Sequence, residues 1–396
     1  DGQAIPLLLA GETADKANLE RVLDVKQATE IFVFTGINSK PVPSLLRGFS
    51  APVKLFFDYS QHDLLFLMTS DSDGFNRWNA AQELSVHVIE RLLQEFQTGR
   101  ALHMDAGLLQ AFAAMLESAL ADARADNILD KAMLAQLLSL PSEAYLSELA
   151  EQIDVVGIHT VREYLLNTLA ESLELKFAAL HKALATDAAY AADADGIGRS
   201  SLSNICLAYL MRTNKREWID LCQQQFASAA NMTDVNAALR LLVNNKAPAA
   251  QELKQKALQQ FLDKWRHEAL VVDQWFSVQA TATVPETLLQ VKSLLGHDMF
   301  DLRNPNKVRS LIGAFASQNA INFHDISGAS YKFLADKILE LNRLNPQIAS
   351  RLLTPLTRWK KYDATRQQMM KVQLERIAAE ENLSKDVYEV VVKSLV

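Results

Sequence analysis

The chain has 396 residues, is 49% hydrophobic and 22% charged, and carries a formal net charge of −7. That length exceeds one comfortable core and implies two units, or one unit with an elongated array. The composition excludes a disordered chain, and the charge balance argues against a general nucleic-acid binder.

The N-terminus, Asp1-Gly2-Gln3-Ala4-Ile5-Pro6, has no initiator methionine, basic region or apolar signal core, and reads as a cut inside a longer polypeptide. The first seventy or so residues read as strands. Thr29–Thr35 is rich in β-branched and aromatic residues, Pro52–Tyr59 follows, and then Asp63–Met68 after a polar turn at Ser60-Gln61-His62. Three or four such strands make a poor independent core, so the region is expected to be a partial β-sandwich with an open edge.

Near Asp71-Ser72-Asp73-Gly74 the apolar period becomes helical and stays so nearly to the end. Trp78, Leu84, Val88, Ile89, Leu92 and Phe96 line one side of a long helix. Further helical segments are expected around 108–120, 134–140, 161–184, 202–211, 235–243, 253–265 and 308–315. Thr186–Ser201 is small and polar and reads as an exposed connection. The last helix starts at Ser384 as N-cap and carries Tyr388, Val391, Val392 and Leu395 on one face. The expected fold is mainly α: a large helical-repeat, solenoid-like domain of antiparallel helix pairs over 72–396, preceded by the partial β-sandwich over 1–71. No stretch approaches the roughly 20 apolar residues that span a membrane.

Chemistry-bearing motifs are scarce. A zincin site needs two histidines one helical turn apart with a glutamate between them. His267-Glu268 is the one His-Glu pair, and Val271 stands where the second histidine is required. No other histidine lies three or four residues from another, so no metal site is expected within this chain. Gly196-Ile197-Gly198 is half of a dinucleotide fingerprint without its βαβ setting, and reads as a connection. Cys206 and Cys222 are too few for a disulfide framework; as apolar-segment residues they fit packing thiols in a reducing cytoplasm. The basic run Arg358, Lys360, Lys361, Arg366, Lys371, Arg376 is interleaved with acids and reads as a solvated helix face in preference to an RNA surface.

Two helix starts carry more information. Asn304 caps and Pro305 opens a helix whose core stripe is Val308, Leu311, Ile312 and Phe315. Arg309 lies on an adjacent stripe with Gly313 and Ala316, which leaves room beside its guanidinium. Asn345-Pro346 opens a second helix 41 residues later, with Ala349, Leu352, Leu353 and Leu356 apolar and Arg351 offset. Pro355 cannot donate to the Arg351 carbonyl, so a kink and a freed acceptor are expected there. Spacing alone leaves two roles open for the arginines: cationic donors facing a cavity, or structural partners of neighbouring helix C-termini.

These stretches, together with Phe49–Leu55, Asn231-Met232-Thr233-Asp234 and Asp273-Gln274-Trp275-Phe276, closely resemble the end of the bacterial aminopeptidase N family, which are zinc aminopeptidases. The resemblance covers the whole chain, from the late β-sandwich domain through the helical C-terminal domain. It implies that Arg309 and Arg351, and beside them Gln347, line a peptide-binding cavity that the helical domain encloses. Lys307 occupies a position where either basic residue is expected. The family's zinc helix and exopeptidase motif lie upstream of these segments, so zinc is expected in a missing catalytic domain and no cofactor in this chain. The implied function is the non-catalytic, cytoplasmic C-terminal portion of an aminopeptidase, inactive alone. Its implied partners are the upstream catalytic domain in cis and, through the parent enzyme, a peptide; nucleic acid and membrane are not expected. The alternative is a free-standing helical-repeat module that binds a protein partner.

Overall fold

The computed structural model describes residues 3–124, 130–186 and 189–396. Asp1-Gly2 of the N-terminal reading and Asp187-Ala188 of the expected connection lie outside the described residues.

The strand content is smaller than the sequence suggests. β1 (Leu8–Leu9) pairs antiparallel with β2 (Phe34–Thr35), so only the last two residues of the expected 29–35 strand enter a ladder. The 52–59 stretch forms no strand, and Val53, Leu55, Phe56 and Phe57 stay exposed. β-Propensity describes fit to a pleated, half-buried surface, and without a neighbouring strand that surface does not form.

The third expected strand is a helix, α1 (Gln61–Ser70). Ser60 is its N-cap, not part of a hairpin turn: the Ser60 hydroxyl accepts from the Asp63 amide while the Asp63 carboxylate accepts from the Ser60 amide. This reciprocal capping box satisfies two orphan amides. Leu64, Leu67 and Met68 then fall on one helical face and are buried. Helical structure therefore begins ten residues before the change of period.

From there the chain is a succession of helices: α2 (Gly74–Gln97), α3 (Ala106–Arg124), α4 (Lys131–Leu137), α5 (Glu143–Leu149), α6 (Val155–Ala183), α7 (Ala194–Arg212), α8 (Arg216–Ser228), α9 (Met232–Asn244), α10 (Pro248–Trp265), α11 (Ala269–Ala280) and α12 (Thr287–Leu294). After a composite helix over 305–318 come α15 (Ala320–Phe323), α16 (Ala329–Leu344), α17 (Pro346–Leu352), α18 (Thr354–Thr357), α19 (Ala364–Ala378) and α20 (Lys385–Leu395). The composite is α13 (Pro305–Val308), a π turn (Arg309–Gly313) and α14 (Ala314–Gln318). Side-chain caps at Asp73, Asp130, Ser142, Asp154, Asp193 and Asn231 fix most starts. Sequential neighbours pack in pairs, α6 on α7, α8 on α9 and α16 on α17 among them, around one continuous apolar core.

Two expectations are revised. The connection after α6 is shorter than read, because Asp193 caps α7 and residues 194–201 are its first turns. Gly198 is a packing glycine there: a Cβ would stand 3.2 Å from the Ala132 amide nitrogen. In α20, Ser384 caps as expected, but the buried face is Val387 and Val391, while Tyr388 is exposed.

The array folds back on itself, bringing the segment before α19 against the connection between α5 and α6. The Ile153 amide donates to the Lys361 carbonyl at 2.7 Å, and the Lys361 ammonium donates to the carbonyls of Glu148 (3.2 Å) and Ala150 (3.1 Å). α15 also packs on α6. Behind this seam His324 is buried, its Nδ1 2.9 Å from the Tyr331 hydroxyl and its Nε2 3.0 Å from that of Tyr362. The stretch between the two sides of the seam is thus a closed loop of helices.

Candidate substrate-cavity site

The helix bearing Arg309 starts as its sequence dictates. The Asn304 side chain accepts from the Asn306 amide at 2.9 Å, and Pro305 takes the first helical position, where a missing N–H costs nothing. Val308, Leu311, Ile312 and Phe315 are fully buried. The backbone then departs from the α ladder, and the Ala314 amide reaches back five residues to the Arg309 carbonyl. Such π turns occur mostly as single turns, frequently at functional sites.

Arg309 opens this turn and is exposed. Its guanidinium donates within its own first turn, to the Pro305 carbonyl at 3.2 Å and the Asn306 side-chain oxygen at 2.8 Å. Both acceptors are neutral, so the positive charge is oriented but not neutralised.

Arg351 stands on α17, which begins with Asn345 accepting from the Ile348 amide (3.3 Å). Ala349, Leu352, Leu353 and Leu356 are buried, and Arg351 and Gln347 are exposed one turn apart on the opposite face. Among the described residues, neither the Arg351 guanidinium nor the Gln347 amide has a hydrogen-bond or ion-pair partner. The helix is interrupted at Leu353, ahead of Pro355. The Arg351 carbonyl does not stay free, because the Thr354 hydroxyl donates to it at 3.0 Å.

The two helices are neighbours. A Cβ on Gly313, one turn beyond Arg309, would lie 3.7 Å from Cδ2 of Leu352. Two guanidiniums without carboxylate partners are therefore carried on adjacent helices, an arrangement suited to a carboxylate or carbonyl ligand.

Lys307, read from sequence only as a position where either basic residue would serve, has a specific place in the structure. It is 5% exposed, and its ammonium lies 2.8 Å from Asp273 Oδ1 and 2.9 Å from the Ala269 carbonyl. Its position four residues before Leu311, on the edge of the apolar stripe, was the available signal.

Other candidates do not form sites. Among the described residues no three His, Cys, Asp or Glu side chains converge as metal ligands, and His267 is an exposed residue just before α11, so the residues present do not fit zinc. Cys206 and Cys222 are fully buried, and burial pushes both thiols up to about 12. In the basic run Arg366 pairs with Asp363, Arg376 with Asp336, Lys371 with Glu375, and Lys360 donates to the Val396 carbonyl. A groove of about 1040 Å³ lies elsewhere, lined by residues that include Phe49, Val53, Phe57, Phe75, Glu83 and Tyr145, and contains neither arginine. Among the described residues no helix is long and apolar enough to cross a membrane.

Comparison with known proteins places the chain in a family. The family described as domain of unknown function DUF3458_C, ARM repeats, matches residues 61–396, and the DUF3458 Ig-like fold matches 3–58. Aminopeptidase N of Escherichia coli K12 is 39% identical over 395 residues, 100% of this chain and 43% of that protein. Aminopeptidase N of Haemophilus influenzae is 38% identical over 377 residues, covering 95% of this chain and 42% of that protein. The crystal structure of Legionella pneumophila aminopeptidase A in complex with aspartic acid superposes with a TM-score of 0.79 at 33% identity, over 91% of this chain and 41% of that one. The chain thus spans less than half the length of these relatives. It belongs to the DUF3458_C ARM-repeat family and is homologous to the C-terminal part of the bacterial aminopeptidases N.

Proposed function

We propose that this chain is the non-catalytic C-terminal portion of a cytoplasmic zinc aminopeptidase that removes N-terminal residues from peptides, and that its helical domain shapes and gates the peptide chamber. The observation that carries the reading is 37–39% identity spread over 95–100% of the chain with proteins named aminopeptidase N. In this reading the metal is held by a catalytic domain in cis, and this chain supplies walls and contacts of the chamber. Arg309, Arg351 and Gln347 line the chamber in this reading, and the two guanidiniums receive the carboxylate or a carbonyl of the peptide beyond its first residue. The closed loop of helices supplies the rigid wall that such positioning needs. Alone the chain hydrolyses nothing.

The test uses the full gene product that carries this chain. A charge-assisted hydrogen bond is worth about 1.5–3 kcal/mol, so Arg309→Ala or Arg351→Ala lowers kcat/KM on tripeptides by roughly 10- to 100-fold. Aminoacyl-anilides, which do not reach that far, change little. Unchanged tripeptide kinetics in both variants return the arginines to a structural role. A reading frame without a His-Glu-x-x-His segment, whose product binds a protein partner, replaces the proposal with a free-standing interaction module.

A further inference from the structure

We infer that the buried Lys307–Asp273 pair, with Ser310 and Ser277, is the device that positions Arg309 for a peptide carboxylate. The inference rests on the chamber reading above and adds to it the residues that set the arginine's place.

One side of α11 presents four contacts over about two helical turns: the Ala269 carbonyl, the Asp273 carboxylate, the Phe276 ring and the Ser277 hydroxyl. The Lys307 ammonium takes the first three, at 2.9 Å, 2.8 Å and 5.6 Å from the ring centre. The Ser277 hydroxyl donates to the Ser310 carbonyl at 3.0 Å. The Ser310 hydroxyl in turn donates to the Lys307 carbonyl at 3.0 Å. Residues 307 and 310 bracket Arg309, and both are buried.

The arginine's own tethers run to Pro305 and Asn306, the two residues before Lys307. Fixing Lys307 against α11 therefore fixes the acceptors that orient the guanidinium. The π turn completes the link, because it sends the Arg309 carbonyl to the Ala314 amide and leaves the Ser310 carbonyl bonded to Ser277.

A buried ion pair is a poor way to gain stability, since apolar replacements of similar volume often serve as well or better. Lys307 is the one lysine or arginine among the described residues that is buried. Directional, charge-assisted bonds fix geometry more narrowly than packing does.

The experiment compares a tripeptide with a free C-terminal carboxylate and the same tripeptide amidated, on the full gene product and three variants. Arg309→Ala is the reference and separates the two substrates. Lys307→Met combined with Asp273→Asn keeps the side-chain volumes close and removes both charges. Its expected result is an about tenfold rise in KM for the acid, less than about twofold for the amide, at an unchanged kcat and melting temperature. Ser277→Ala removes one bond without stranding a charge, and gives a rise of about two- to fivefold in the same direction.

If Arg309→Ala itself leaves both substrates unchanged, the chamber reading fails and the inference with it. If Arg309→Ala separates acid from amide while the double variant and Ser277→Ala do not, the positioning role alone is overturned. Equal losses on acid and amide accompanied by a lower melting temperature also overturn it, because that is what a purely structural pair gives.

Discussion

His324 makes a sharp prediction about acid. Its ring is buried between the Tyr331 and Tyr362 hydroxyls, stacked on the Tyr362 ring at 4.3 Å. Burial, with Arg366 and Arg358 nearby and Asp363 opposing them, pulls its pKa from 6.5 to about 3. The folded state therefore holds a neutral ring that donates to one tyrosine and accepts from the other. Below pH 6.5 the unfolded state binds a proton that the folded state does not, so stability is lost as pH falls from 6.5 towards 3. At 1.36 kcal/mol per unit, the loss between pH 7 and pH 5 is about 2 kcal/mol, and it approaches about 5 kcal/mol near pH 3. His324→Gln keeps one donor and one acceptor but does not titrate. Urea unfolding at the two pH values should show wild type losing about 2 kcal/mol more than the variant. Parallel pH profiles, or an imidazole resonance that titrates near 6.5, would refute the reasoning. Because Tyr362 also offers its carbonyl to Gln152 at 3.4 Å, protonating this histidine loosens the seam that closes the helical loop.

Two further outcomes follow from the same burial and the same seam. Cys206 and Cys222 should both resist a thiol reagent at pH 8 in the native state and react fully in denaturant; one fast thiol equivalent would contradict their burial. Lys361→Met removes the donor to Glu148 and Ala150, costs about 1–2 kcal/mol locally, and should speed exchange of the Ile153 amide about tenfold or more, read by hydrogen-exchange NMR.

The helical domain was legible because its signals are local. Asn304-Pro305, Asn345-Pro346 and Ser384 each cap a helix where the sequence places one, and the stripes at Val308–Phe315 and Ala349–Leu356 are buried as spaced. Asp63–Met68 was misread because an unbroken apolar run has no period. The deciding signal was the Ser60–Asp63 capping box, four residues wide and easily taken for a turn. The π turn at Arg309 carries no sequence signature at all. It depends on Ser277 and Asp273, which lie more than thirty residues upstream. The seam is less legible still, since it joins a lysine to carbonyls over two hundred residues away and carbonyls are the same in every residue.

That seam changes how the array comes apart. An open solenoid frays from its ends, each repeat peeling from a single neighbour. Between Ile153 and Lys361 there is no end to peel, because the last turn is fastened to the first. Loss of one internal contact is then opposed by both flanks, and dissolution must begin with the latch itself. The persistence of that closed stretch depends on a small patch of hydrogen bonds, whose lysine follows Arg351 by only ten residues.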